Sequence, residues 1–322
     1  MKVKIAVIGC GGIAGAHIIR LAKIEGIEFT AFCDVEREKA ESKSTEYGGK
    51  SYSDFREMFS KEKLDACFIC VPPFAHEGQE EMCIANGIPF FIEKPVHLEL
   101  EKAKKIAGEI TKKGIITAAG YVLRNYDVVE KARELLKDVQ IGLVSGRYFS
   151  RVPGQEGSWL HKKELSGGQL IEQATHTVDL MRYLAGDVEE VFTYSFAGIN
   201  KELYEGYDAE DASVTSLKFK SGAAGELACT WLRRGFVSRV EVIGSDLFVS
   251  CEGKTLTVQR GDETETFVSE TDAMLEEDRD FIKAVKGGSP SLIKSDYVDA
   301  VKTLETTLKC NISMESGKPV KI

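Results

Sequence analysis

The chain has 322 residues, 43 % hydrophobic and 29 % charged, with a formal net charge of −9. That is a globular balance, long enough for two domains with substantial cores. The acidity and the lack of a long basic run argue against nucleic acid and anionic membrane as partners. No apolar stretch reaches the ~20 residues that span a bilayer. The opening MKVKIAVIG lacks a small-residue cleavage pattern and reads as a first strand rather than a signal peptide.

In chain order, strand and helix signals alternate over the first 120 residues. Strands are expected at 3–8, 28–33, 65–71, 89–92 and 115–119, and helices at 13–25, 75–86 and 99–112. Alternation of this kind implies a parallel sheet covered by helices on both faces. After a helix near 128–137, strand patterns dominate at 143–149, 188–196, 212–219, 223–232, 236–243 and 256–268. Short glycine turns such as KSGAAG and IGSD join several of them, which implies a mainly antiparallel sheet. Helices near 273–285 and 296–311 close the chain, and the domain boundary is expected near 120–127. The expected organisation is therefore α/β, with domains 1–120 and 121–322.

Eight cysteines are present, and Cys67 and Cys70 form a C-x-x-C. That spacing suggests zinc or redox chemistry in other contexts. Here it lies in DACFICV, an apolar strand on which residues three apart point to opposite faces. The pair therefore reads as structural and reduced, and no metal site is expected. Reduced cysteines place the protein in the cytoplasm.

The segment VIGCGGIAGAHI contains G-x-G-x-x-A at Gly9, Gly11 and Ala14. Gly9 permits a tight turn, Gly11 lets the backbone approach a pyrophosphate, and Ala14 is small enough for helix–strand packing. The helix that opens there offers free N–H groups and a positive dipole end to phosphate. The turn follows a strand, opens a helix and precedes Asp34 at the end of the second strand, which is the context a dinucleotide site requires. Asp34 is suited to accept from ribose hydroxyls and would repel a 2′-phosphate, so NAD is favoured over NADP. Arg37 leaves NADP open. Candidate cofactor contacts are Gly9, Gly11, Gly12, Ile13, Ala14, Asp34, Arg37, the strand-end residues Val71, Pro72 and His76, and Glu93-Lys94. His76 either borders the cofactor or begins a helix. His17 and His97 are expected to be structural.

In GGQLIEQATHTVDL, the helical period places Glu172, His176, Asp179 and Tyr183 on one narrow stripe. The remaining arc is apolar. Alone, this describes a helix with a solvated side, where a Glu–His pair at i,i+4 adds only about 0.2–0.5 kcal/mol.

Glu93-Lys94-Pro95 at a strand end, after the glycine turn and CVPPFAH, resembles the Gfo/Idh/MocA oxidoreductase family. So do GYVLRNYDVVEKARELLKDVQIGLV and SWLHKKELSGGQLIEQATHTVDLMRYLAGD. The resemblance covers residues 3–186. It implies an N-terminal Rossmann fold, a C-terminal α/β domain with a large open, mainly antiparallel sheet, and a site in the cleft between them. The family's motif lysine maps onto Lys94, its histidine onto His176 and its motif carboxylate onto Glu172. This chain carries Glu172 where Asp is common and Gln169 where a third glycine often follows.

The resemblance implies hydride transfer between NAD and a secondary alcohol or ketone of a sugar, nucleotide sugar or cyclitol. In that chemistry a neutral His176 takes the hydroxyl proton. Glu172 or Asp179 orients its ring, and Lys94 stabilises the alkoxide. Tyr121, Arg124, Trp159 and His161 are further candidate substrate contacts. Two rival readings are an NAD-dependent oxidation–elimination enzyme and a nicotinamide-sensing protein without turnover. Covering of the open sheet by a second subunit would make a homodimer or homotetramer.

Overall fold

The computed structural model describes residues 2–322. It divides into two compact units. One is the chain through Val122 together with Asp272–Val301, and the other is Leu123–Thr271 together with Lys302–Ile322.

The first unit is built on six strands: β1 (Val3–Ile8), β2 (Ile27–Cys33), β3 (Lys50–Tyr52), β4 (Ala66–Ile69), β5 (Phe90–Ile92) and β6 (Thr117–Ala119). They pair in parallel in the order β3-β2-β1-β4-β5-β6. That order reverses direction between β1 and β4, the switch point at which a Rossmann sheet receives its ligand. The central strands β4 and β5 are buried at every residue, as parallel strands covered on both faces must be.

The core joins Ile5, Val7, Ile18, Leu21, Phe32, Phe68 and Phe91 with Phe281 and Ile282. The last two come from the helix Ala273–Val285, which the sequence reading assigned to the second domain. Its apolar period identifies a helix but carries no information about which sheet it covers. The helix Arg37–Tyr47 and the helix Phe55–Lys61 also went unforeseen. The first buries only Ala40 and so carries almost no apolar period. The expected helix over 75–86 begins only at Gln79: a 3-10 turn Pro73–Ala75 precedes it.

The second unit holds nine strands: β7 (Ile141–Arg151), β8 (Val188–Phe196), β9 (Ala212–Phe219), β10 (Ala224–Thr230), β11 (Leu232–Gly244), β12 (Leu247–Glu252), β13 (Thr255–Arg260), β14 (Glu263–Val268) and β15 (Val320–Lys321). Their order is β14-β13-β12-β11-β7-β10-β9-β8-β15. The pairs are antiparallel except β7 with β10. β12 was not expected, and the strand expected over 256–268 is a hairpin turned at Gly261, whose φ is 54°.

One face of this sheet packs on the helices Asp127–Leu136 and Thr175–Ala185 through Val129, Val144, Leu170, Val178, Met181, Leu227 and Val242. On the other face Leu143, Tyr194, Phe196, Val214, Ile243 and Val268 are exposed. Among the described residues no helix is long and apolar enough to cross a membrane.

Candidate active site

In the first unit the glycine turn closes directly behind β1. Gly9 has φ 83°, and a Cβ there would stand 2.5 Å from the Cys70 carbonyl oxygen on the neighbouring β4 segment. Only glycine satisfies both the left-handed backbone and that approach. Gly11 and Gly12 have nothing of the protein within 4 Å of an added Cβ, so the turn presents bare backbone to open space. The helix Gly12–Leu21 follows with no side-chain cap and no acidic residue in its first turn. Its first amide groups and positive dipole end remain available to an anion.

Asp34 stands beside this turn. Its Oδ2 accepts from the Cys10 N–H at 2.7 Å and its Oδ1 from the Glu36 N–H at 2.9 Å. The carboxylate is thereby held in one orientation at the end of β2. Bare glycine backbone, an uncapped helix start and a pinned acidic residue fit the pyrophosphate and ribose of NAD. Arg37 is exposed and pairs with Glu41 on its own helix, with 2.7 Å between Nε and Oε1. Val71 and Pro72 follow β4 at the switch point and are half-buried.

His76 lies deeper than the sequence suggested. It is 6 % exposed, and its Nδ1 meets Glu80 Oε1 at 2.5 Å. His97, also buried, is 5.8 Å from it ring to ring. The His97 Nδ1 accepts from the Leu98 and Glu99 amides at 2.9 and 2.8 Å. Burial, followed by the neighbouring His76 and Lys102, pushes His97 down to about 4, so it is neutral. His76 belongs to this buried cluster.

Glu93 and Lys94 follow β5, and the Lys94–Pro95 bond is cis. Glu93 is buried and Lys94 half-buried. The Lys94 N–H donates to Glu93 Oε2 at 3.0 Å. Tyr121, after β6, is 1 % exposed and packs in the interior of the chain.

In the second unit the helix carrying Glu172 and His176 is not continuous. It runs Gln169–Glu172, breaks, and resumes as Thr175–Ala185. Gln169 O accepts from the Gln173 N–H at 3.1 Å and from the Ala174 N–H at 2.9 Å. The second is an i→i−5 bond, a single wide turn of the kind that helices carry at functional positions. It offsets Glu172 from the stripe expected for a regular helix.

Nor is the stripe solvated. Glu172 is 6 % exposed, Asp179 is fully buried and His176 is half-buried. Gly146 on β7 explains how close the helix comes: a Cβ there would lie 2.5 Å from Met181 Sδ and 3.1 Å from Thr177 Cγ2.

Asp179 is engaged elsewhere than with the His176 ring. Arg124 Nε and Nη2 meet its two oxygens at 2.7 and 2.6 Å, and the Thr303 hydroxyl donates to it at 2.9 Å. Arg124, proposed as a substrate contact, is 3 % exposed and lies over the Tyr183 ring at 4.6 Å. This buried bidentate pair braces the helix. His161, also a candidate substrate contact, is 1 % exposed and faces Pro153 O at 2.9 Å through Nε2. Its ring packs against Tyr204 and Tyr207, so it belongs to an aromatic core. Trp159 is half-buried.

Two neighbours escaped sequence reasoning. Tyr148 donates to Gln173 Oε1 at 2.6 Å, and burial followed by the Glu172 charge raises its phenol far above the usual range. Glu210 is 4 % exposed, and its Oε1 accepts from the Gln169 N–H at 2.9 Å, holding the start of the helix that bears Glu172. An added Cβ on Gly168 would lie 2.9 Å from Glu210 Oε2, which is why glycine stands there. Neither Tyr148 nor Glu210 sits in a motif, so the sequence offered no local signal for them.

Residues 3–121 match the model of an oxidoreductase family with an NAD-binding Rossmann fold, and residues 129–249 match the GFO/IDH/MocA C-terminal domain. The chain belongs to this family. It is an oxidoreductase, and its first unit is the NAD-binding domain. Myo-inositol 2-dehydrogenase of Thermotoga maritima is 29 % identical over 99 % of this chain and 98 % of its own length. The NAD-dependent scyllo-inositol 2-dehydrogenase of Bacillus subtilis is 26 % identical over 100 % of this chain and 96 % of its own. A levoglucosan dehydrogenase solved with NADH and L-sorbose superposes with a TM-score of 0.90 at 19 % identity, covering 100 % of this chain and 99 % of that one. That last likeness is one of fold.

Proposed function

We propose that the protein is an NAD-dependent dehydrogenase that interconverts a secondary alcohol and a ketone on a cyclitol or sugar. The observation that carries this reading is the burial of Glu172 at the break before the helix that bears His176, a helix pressed against β7 at Gly146. A carboxylate and an imidazole four residues apart in a drying environment interact more strongly with a reacting hydroxyl than a solvated pair would. NAD, when bound, supplies the two-electron acceptor. His176 takes the hydroxyl proton, Glu172 favours its protonated form, and Lys94 donates to the developing alkoxide. Relatives named for inositols support the polyol class. The pinned Asp34 supports NAD over NADP.

The test is NAD reduction on a panel of myo-inositol, scyllo-inositol, levoglucosan and common hexoses. Lys94→Ala and His176→Ala should each lower turnover at least about 10²-fold with NAD affinity little changed. A folded His176→Ala enzyme with near wild-type turnover would refute the role of the histidine.

The same reading includes a homo-oligomer, dimer or tetramer, formed through the open sheet face. Support comes from its exposed Tyr194, Phe196, Val214 and Ile243 beside the ion pairs of Arg147 with Glu226 and of Arg239 with Glu252. That mixture of apolar rows and both charge signs suits self-pairing. Val214→Lys should lower the mass seen in light scattering, and a wild-type monomer at micromolar concentration would remove the idea. All eight cysteines are free and buried, which supports a cytoplasmic location.

A further inference from the structure

His17 lies one turn into the nucleotide-binding helix, on its buried face with Ala14, Ile18 and Leu21. Its ring has no exposed surface and meets Phe91 edge-on at 4.8 Å. Both ring nitrogens face carboxylates: Nδ1 is 2.7 Å from Asp278 Oδ1, and Nε2 is 2.9 Å from Glu93 Oε1. A neutral imidazole has one N–H and could donate to only one of them. Burial opposes a charge here, but Asp278 and then Glu93 outweigh it and lift the imidazole to about 10. The ring is therefore an imidazolium that donates on both sides.

Glu93 does not end at this contact. Its other oxygen, Oε2, accepts from the main-chain N–H of Lys94 at 3.0 Å. Behind it, an added Cβ on Gly120 would stand 2.8 Å from all three carboxyl atoms, so the Gly120 backbone closes directly on the carboxylate. The group is thus held by a cation on one side, a backbone on another, and the amide of the next residue on the third. Asp278, on the helix Ala273–Val285, anchors the far side of the ring.

We propose that His17 is the positioning residue of the Lys94 loop: it clamps the Glu93 carboxylate against Asp278 and, through that carboxylate, holds the main chain at Lys94. The inference rests on the reading of Lys94 as the group that meets the substrate oxygen. It goes further by tying the helix that faces the cofactor phosphates to the strand end that bears the lysine. A displacement near 1 Å at such a group costs on the order of 10²-fold in rate, so an arrangement of this kind has a kinetic purpose beyond packing.

The test uses His17→Gln and Asp278→Asn, each with and without Lys94→Ala. Hydrogen exchange of the Lys94 amide in the cofactor-free protein needs no substrate. It should be at least about tenfold faster in His17→Gln and intermediate in Asp278→Asn, where the ring keeps one carboxylate. On the best polyol of the panel, kcat should fall about 10- to 100-fold with KM and NAD affinity within about threefold. In the Lys94→Ala background the further loss should vanish, because the pair acts as one unit.

Wild-type protection of the Lys94 amide in both variants overturns the proposal. So does an undiminished His17 effect when Lys94 is absent. Full turnover by Lys94→Ala alone refutes the role given to the lysine, and amide exchange then still decides whether His17 holds its main chain. If His17→Gln does not fold, Asp278→Asn carries the same measurements.

Discussion

Replacing Asp179 by Asn separates two accounts of the helix that carries His176. Helical spacing puts Asp179 one turn from His176, where it could serve the ring. The structure puts it in a buried pair with Arg124, with contacts at 2.7 and 2.6 Å and a third bond from Thr303. Both partners are almost fully buried, at 3 % and 0 % exposed. Removing one member of a buried pair costs about 3–5 kcal/mol, because the remaining charge loses its countercharge without gaining water. The asparagine oxygen still accepts from one arm, so the lower end, about 3 kcal/mol, is expected. Against a total stability of about 5–15 kcal/mol this is a large fraction. At about 2–4 °C per kcal/mol it lowers the melting midpoint by about 6–12 °C. Circular dichroism melts at neutral pH, with turnover measured well below the transition, read both quantities. The brace account expects a large fall in the midpoint and a modest change in kcat. A variant that melts within about 2 °C of wild type but loses turnover a hundredfold would refute it and return Asp179 to the His176 ring.

Asp34→Ser should shift the NAD/NADP preference toward NADP at least tenfold. Removing a charge about 5 Å from a 2′-phosphate at an effective dielectric of about 20 is worth about 3 kcal/mol, and an unchanged ratio of kcat/KM values would show that Asp34 does not face the ribose. Gly9→Ala and Gly11→Ala should differ in kind. The first forces a left-handed alanine into the Cys70 carbonyl and lowers the melting midpoint. The second meets no protein atom within 4 Å and leaves the midpoint within about 2 °C, but should weaken NADH at least tenfold in fluorescence titration. Because His17 is raised to about 10 in the folded protein, from about 6.5 when unfolded, its stabilisation is complete below about pH 6.5 and is lost as pH climbs toward 10. The ceiling is about 5 kcal/mol, reduced because burial holds the Asp278 carboxyl above its usual range. Urea midpoints between pH 6 and 10 should therefore slope less in His17→Gln than in wild type, and equal slopes would contradict the imidazolium.

Much of the first unit was legible because its determinants are local. Val3–Ile8 is a parallel strand buried at every residue but Lys4, and it reads as an apolar run broken only by that lysine. Gly9 must be glycine for reasons confined to its own φ and one neighbouring carbonyl. The sequence also named Lys94, Glu172 and His176 together, through ordered motifs. What it could not tell was the surroundings of those groups. Arg37–Tyr47 went unread because it buries a single alanine, so no apolar period marks it.

The larger misreading concerned polarity. Glu172 and Asp179 are residue types that usually meet water, and periodicity assigns them to a wet face, while Arg124 and His161 read as substrate contacts. Tertiary structure buries all four, and Asp179 shows how a distant segment can satisfy such a group: it is met by Arg124 and Thr303, which lie 55 and 124 residues away. His17 is the same case, with Glu93 and Asp278 arriving from 76 and 261 residues away. The sequence by itself determined most of the strands, the glycine turn and the side chains proposed to react, since each depends on spacing within a few residues. Only the tertiary structure decided which polar residues are charged, dry and braced, since that depends on partners the fold gathers from far along the chain.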